Sequence, residues 1–422
     1  MSSHRATPLD STVVTPLDST LALAVEGYAW LPNRMRRAGG DVLSTRLAGR
    51  RTVALRGPAA ARFFYDERNV RRHGALPEPV RSTLFGHGAV HTLDGAAHRA
   101  RKAMFLALLT DAGGVDGLVA RAGTAWDEAV AGWATRSPVV LFDEAAQVLT
   151  RAVCDWAGVP VTPAQTPGLA ADLVTLVDGF GTAGPRHWRA RWARRRREAW
   201  LADLIDRVRR GEAAAPPGSA VDVVARHRDA DGAGLDGRTA AVELLNVLRP
   251  TVAVSWFLAF AAHAVHQWPW QREQLREGAP GYPGTFVHEV RRFYPFAPFV
   301  GGRAVRDLEW AGEPIPAGAT VLLDIYGQHH DDRFWRDPYR FDPDRFLDRE
   351  VDPYELLPQG GGDPAAGHRC PGEAITEALL GALAVRLAHL DYTLPEQDLT
   401  IALRRVPTRP RSGVLIAVRP PR

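Results

Sequence analysis

Six stretches between Ala96 and Gln267 carry apolar residues three and four apart: Ala96–Leu109, Leu118–Ala134, Asp143–Ala157, Pro167–Phe180, Trp188–Arg210 and Gly237–Gln267. That spacing lines one face of a helix, and so long a succession predicts a mainly α fold. Gly and Pro clusters such as Gly211–Ser219 break the helices. Strand signals are short and peripheral. Arg51–Leu55 reads as a strand, Leu308–Ile325 as strand, turn, strand, and Val406–Val418 as a terminal hairpin. Glu373–Leu390 is a further helix. No linker divides the chain, which predicts one large helical domain with small β-sheets over residues 21–422. Residues 1–20 hold the hexamer Thr-Pro-Leu-Asp-Ser-Thr twice and are expected to be frayed.

Hydrophobic residues make up 45% and charged residues 24%, enough to bury a sizeable core and too apolar for a disordered chain. Two cysteines exclude a disulfide framework or a multi-cysteine metal cluster. A net charge of +4 over 422 residues is too weak to argue for a nucleic-acid partner. No uninterrupted apolar run reaches the roughly 18 residues of a membrane helix; the best, Trp256–Val265, contains His263. The polar N-terminus lacks signal architecture. These features predict a cytoplasmic protein with no integral membrane segment.

Gln359–Glu373 is a Gly-rich loop that places Cys370 just before a helix. Glycines let backbone approach a bulky flat ligand. The helix's positive end favours a thiolate, and His368 and Arg369 add positive charge. This suits a cysteine that holds a metal, whereas Cys154 sits in an apolar helical pattern that suits inert packing.

Three segments together resemble the cytochrome P-450 haem-thiolate superfamily: His368-Arg-Cys370-Pro-Gly372, Glu289-Val-Arg-Arg292, and Phe334–Pro338 with Phe341–Phe346. The superfamily usually has Phe where Asp363 stands. The Gln-Gly-Gly-Gly-Asp run instead resembles the branch of bacterial fatty-acid peroxygenases and alkene-forming decarboxylases. The resemblance spans about Leu21 to the C-terminus. It implies a single cytochrome P-450-like domain with haem b on Cys370, whose thiolate donates electron density to iron.

Within Gly237–Gln267, Pro250 has no N–H for the carbonyl of Asn246, so the helix should kink there. Thr251 lies about a quarter turn from the place of the alcohol that dioxygen-reducing members use. Arg249 has no acid one turn after it, and Glu243 lies on another face. A buried Arg needs a counter-charge; an Arg at the helix surface is the alternative. The resemblance implies that Arg249 clamps a substrate carboxylate. The carboxylate, beside Pro250, would then serve as the acid–base group for hydrogen peroxide, with no obligatory redox partner.

On residues alone His91 reads as a solvated loop histidine; the resemblance implies a distal proton donor or acceptor that titrates near neutrality. His98 and Lys102, the only lysine, share a helix face. With His368 they are implied as haem-propionate contacts. Phe85, Val177, Phe180, Phe296 and Phe299 are implied to line a pocket for a long- or medium-chain fatty acid; singly, each reads as core. Arg186–Arg197 reads as a solvated helix face that attracts anionic fatty acids. The function implied is peroxide-dependent hydroxylation at the alpha or beta carbon, decarboxylation to a terminal alkene, or both. The alternatives are a reductase-dependent monooxygenase on a non-acid substrate, and a haem-binding sensor without turnover.

Overall fold

The computed structural model describes residues 18–419. Most of the segment expected to be frayed lies outside it, but Asp18–Thr20 is held. The Asp18 carboxylate accepts from the Gly49 N–H at 2.6 Å and the Thr20 N–H at 2.9 Å. The fold is mainly helical with small sheets, as the helical periodicity predicts.

The helices run Gly95–Leu109, Ala112–Arg136, Leu141–Ala157, Thr166–Asp178, Pro185–Arg209, Tyr282–Phe293 and Glu373–His389, among others. The expected Gly237–Gln267 helix is two, Gly237–Val252 and Val254–Gln267, broken at Ala253 and not at Pro250. Pro250 withholds the donor, and the chain recovers three residues later, where the Ala253 N–H donates to the Arg249 and Thr251 carbonyls. Both halves are buried nearly all round, because they run through the middle of the bundle. They pack on Leu141–Ala157, Pro185–Arg209 and Glu373–His389. Taken together they are long and apolar enough to cross a membrane, yet 94% of the most apolar stretch is buried inside the protein. Counting uninterrupted apolar runs missed this, because Asn246 and Arg249 interrupt them.

Among the described residues ten strands form three sheets: β1 (Val42–Leu47), β2 (Arg50–Leu55), β3 (Val70–Arg71), β4 (Val139–Val140), β5 (Phe299–Ala304), β6 (Leu308–Trp310), β7 (Glu313–Ile315), β8 (Thr320–Asp324), β9 (Tyr392–Thr393) and β10 (Leu415–Val418). The largest has the order β1-β2-β8-β5-β3, with β2 parallel to β8 and Thr52 opposite Thr320. The terminal hairpin does not form. β10 lies between β4 and β9, both distant in sequence. Pro407 and Pro410 have no N–H to give a ladder, so the preceding segment is a poor partner.

The Glu289–Arg292 motif is a fully buried pair, with Nε and Nη2 of Arg292 each 2.7 Å from the carboxylate. The carboxylate also accepts from the Asp342 N–H at 2.8 Å and Arg345 Nε at 3.1 Å. Arg292 donates onward to the carbonyls of His329 and Pro338. The aromatic, Pro-rich segment is thereby fastened to the helix, as its motif implied. Breaking such a pair costs about 3–5 kcal/mol, because one charge is left buried alone.

Candidate functional site

Cys370 sits two residues before the Gly372 cap of Glu373–His389. Its N–H donates to the Gln359 carbonyl at 3.0 Å, and the Gln359 side-chain amide approaches its sulfur at 3.6 Å. The same amide donates to Thr376 Oγ1 at 3.0 Å, which fixes its direction. Burial pushes the Cys370 thiol up; the Gly372 N–H, the Gln359 amide and Lys102 oppose that. The expected help from His368 and Arg369 is different in kind. Arg369 is taken by Glu373 at 2.5 Å, and His368 turns to Asp94 at 3.4 Å. Arg291, fully buried, ties Glu373, Glu377 and the Gln359 Oε1 to the helix behind. The glycines have a further use: a Cβ on Gly361 would meet Leu357 at 2.7 Å and the Pro353 carbonyl at 3.0 Å. They let the loop fold onto its own neighbours. Cys154, by contrast, is buried and its thiol is pushed up to about 12.

Lys102 is buried, and its ammonium donates to the carbonyls of Gly367 and, at 2.8 Å, Arg369. It braces the cysteine loop. Burial holds its pKa down to about 8. His98 is buried and stacks on His368 with centroids 3.9 Å apart. Its Nδ1 has no hydrogen-bond partner, and burial, then His368, push its pKa down to about 3. A braced thiol with amide donors, beside the stacked pair of His98 and His368, each with an unpartnered ring nitrogen, fits a haem whose iron would take the sulfur and whose carboxylates would take the imidazoles.

Arg249 is buried, and its Nε has no partner. Its one side-chain hydrogen bond is long, 3.4 Å to Asn246 Oδ1. Burial, then Arg194, holds its pKa down to about 9, and the Cys370 sulfur opposes that. Phe85 lies under the guanidinium at 5.7 Å, and His91 lies against Phe85 at 4.2 Å. So Arg249, Phe85 and His91 form one group. His91 is half-buried and not solvated, its Nδ1 lacks a partner, and its pKa is pushed well below 6.5 by burial and then Arg249. The expectation of titration near neutrality is corrected: this imidazole is neutral at pH 7.

Glu243 makes no direct pair with Arg249. It accepts from Arg101 and from the Val90 N–H, both at 2.7 Å, and from Asn246 at 3.2 Å. Asn246 also donates to the Phe85 carbonyl at 2.9 Å. Arg101 continues to Asp229. This network positions the segment that carries Phe85 and His91. Sequence reasoning missed it; polar residues at 243, 246 and 249, three apart on an apolar helix, were the available signal. Gln359 and Arg291 left no such trace.

The other expected pocket residues come from separate elements. Val177 is buried in the main core and Phe180 lies just beyond the Thr166–Asp178 helix. Phe296 packs on Phe257 at 4.8 Å. Phe299 packs on Trp30 at 6.2 Å, with the Trp30 cluster on the sheet side. The arginine run is not simply solvated. Arg194 is buried, pairs with Glu198 at 2.6 Å and donates to the Thr83 and Leu84 carbonyls.

The cytochrome P-450 family profile matches residues 282–399. Cytochrome P-450SP alpha (CYP152B1) in complex with (R)-ibuprophen is 42% identical with a TM-score of 0.92, over 94% of this chain and 98% of that one. Cytochrome P-450EX alpha (CYP152N1) with myristic acid is 37% identical with a TM-score of 0.90, over 96% and 98%. Ligand-free cytochrome P-450 OleT is 36% identical with a TM-score of 0.93, over 96% and 98%. Among curated relatives, ferruginol synthase of Salvia miltiorrhiza is 37% identical over 127 residues, 29% of this chain and 25% of its own length. The chain thus spans about a quarter of the curated relatives it matches.

Proposed function

The chain belongs to the cytochrome P-450 family, in the branch of bacterial fatty-acid peroxygenases and decarboxylases, and we propose that it oxidises long- or medium-chain fatty acids with hydrogen peroxide. The observation that carries this reading is Arg249: buried, next to Pro250, and without a carboxylate partner among the described residues. A fatty-acid carboxylate supplies that partner.

Cys370 would hold haem b, with His98, Lys102 and His368 toward its carboxylates, and the haem would supply the redox chemistry, with peroxide as oxidant. Arg249 binds the carboxylate bidentately. Phe85 packs the guanidinium and excludes water, which strengthens the charge pair. The held carboxylate accepts a proton from peroxide at one oxygen and returns it to the other, the task that an acid and an alcohol perform in dioxygen-reducing relatives. Arg249 and Pro250 stand at the positions of that acid and that alcohol. His91, neutral, offers one donor and one acceptor on the same side. Val177, Phe180, Phe296 and Phe299 supply apolar surface for the acyl chain. Hydroxylation consumes one peroxide and yields a hydroxy acid and water. Decarboxylation consumes one peroxide and yields a terminal alkene, carbon dioxide and two waters.

No reductase is needed in this scheme. The test is peroxide consumption by the purified holoenzyme, with and without a saturated fatty acid, followed by mass spectrometry of products. Consumption that requires the acid, with hydroxy acid or alkene as product, is expected. Turnover that requires a reductase, or equal consumption without acid, overturns the reading.

A further inference from the structure

The helix Pro185–Arg209 carries seven arginines from Arg186 to Arg197 and no acid before Glu198. Four are in ion pairs: Arg186 with Asp178, Arg194 with Glu198, and Arg196 and Arg197 sharing Asp172. Arg189, Arg191 and Arg195 have no carboxylate within ion-pair distance among the described residues. Beside them stand Trp188, 56% exposed, and Trp192, 68% exposed. The two are four apart and share a helix face. Arg191 stacks over Trp188 at 5.3 Å. The arginines left without acids are therefore those around the exposed indoles.

An indole presents an apolar body and one N–H, which suits the headgroup level of a bilayer. Basic helices with tryptophan bind anionic lipid surfaces in the interface plane. Guanidinium groups pair with phosphate bidentately. Both indoles stand on an outward helix face, where a single nucleic-acid strand has no groove to follow. We propose that this face is a peripheral docking surface for an anionic lipid bilayer. The helix begins shortly after Phe180 in the chain. If the acyl pocket is as proposed above, docking sets lipid beside a segment that leads to it, and the fatty acid enters from the bilayer.

The test is flotation of the haem-loaded protein with vesicles of phosphatidylglycerol and phosphatidylcholine, and with vesicles of phosphatidylcholine alone. Binding to the anionic vesicles, released by salt, is expected. Replacing Arg189→Gln, Arg191→Gln and Arg195→Gln together weakens it on the order of 100-fold, since each surface cation contributes roughly fivefold. Trp188→Ser with Trp192→Ser weakens it at least as clearly. Unchanged haem content and melting temperature in both variants show that folding is intact. Absence of flotation, or equal binding to neutral vesicles, overturns the proposal. So does tighter binding to single-stranded RNA that needs both tryptophans, or a dimer that Trp188→Ser dissolves. Arg249→Ala must still float. A wild type that floats but turns over no fatty acid keeps the surface and loses the peroxygenase reading; one that turns over but does not float does the reverse.

Discussion

The two sides of the site are built on opposite principles. Around the Cys370 sulfur most polar groups are paired, Lys102 with two carbonyls, Gln359 with Thr376 and the sulfur, and Arg369 and Arg291 with Glu373, while Arg291 Nε, His368 Nε2 and His98 Nδ1 have no hydrogen-bond partner. Around Arg249 the cation itself has no carboxylate among the described residues, and Arg249 Nε, His91 Nδ1 and one Arg194 nitrogen lack hydrogen-bond partners. Buried polar groups are nearly always satisfied, so orphans mark where a ligand completes the structure. The cysteine loop is braced by ion pairs and hydrogen bonds before anything binds. The arginine side holds an electrostatic cost that a carboxylate relieves.

The comparison breaks first at Cys370. Cys370→Ala should lose the red-shifted Soret band of the reduced, carbon-monoxide-bound protein and all fatty-acid turnover. A histidine-type spectrum in the wild type refutes the ligand. Next comes the brace behind the loop. Glu289→Ala strands Arg292 and Arg345 and should lower unfolding stability by about 3–5 kcal/mol, read from denaturant unfolding. A loss under about 1 kcal/mol shows that the pair carries no load.

Arg249 should behave the other way. Arg249→Met removes an unpaired buried charge, so unfolding stability should hold or rise, while turnover falls roughly 30- to several-thousand-fold. A variant that unfolds easily, or one with near-normal turnover, contradicts the contrast between the two sides. The smallest effect is at His91. His91→Gln should lower the alkene fraction relative to hydroxy acids, and about 1.4 kcal/mol between the two barriers suffices for tenfold. Because burial and Arg249 depress the pKa of this base, the neutral form prevails above 6.5. The wild-type product ratio should then stay flat from about pH 7 to pH 8, where an ordinary histidine is finishing its titration. A sigmoidal change there contradicts the neutral imidazole.

Much of this was legible in the chain. Helical periodicity located five of the six stretches as single helices, with ends within six residues, and the sixth, Gly237–Gln267, is two helices. Arg249 could be placed inside a helix without an acid one turn on, because i, i+3 and i, i+4 partners can be checked by counting. The same counting could not show that Glu243 reaches the Val90 N–H or that Gln359 faces the sulfur, since those contacts span loops. His91 illustrates the limit: its type and position were plain, but its burial beside Phe85 and Arg249, which moves its titration well below 6.5, was not.

What the sequence alone determined is whatever depends on near neighbours: the helix period, the donor missing at Pro250, the Gly-rich approach to Cys370, and the Glu289–Arg292 spacing. Tertiary structure decided which groups have partners. It turned Lys102 onto the Gly367 and Arg369 carbonyls, buried Arg194, left Arg189, Arg191 and Arg195 outside, and gave β10 to β4 and β9 in place of a hairpin. The reason is physical. A local conformation is set by a few dihedrals and the side chains within one turn. The state of a buried polar or charged group is set by whatever distant segment packing brings within hydrogen-bond reach, and by how much water that packing removes.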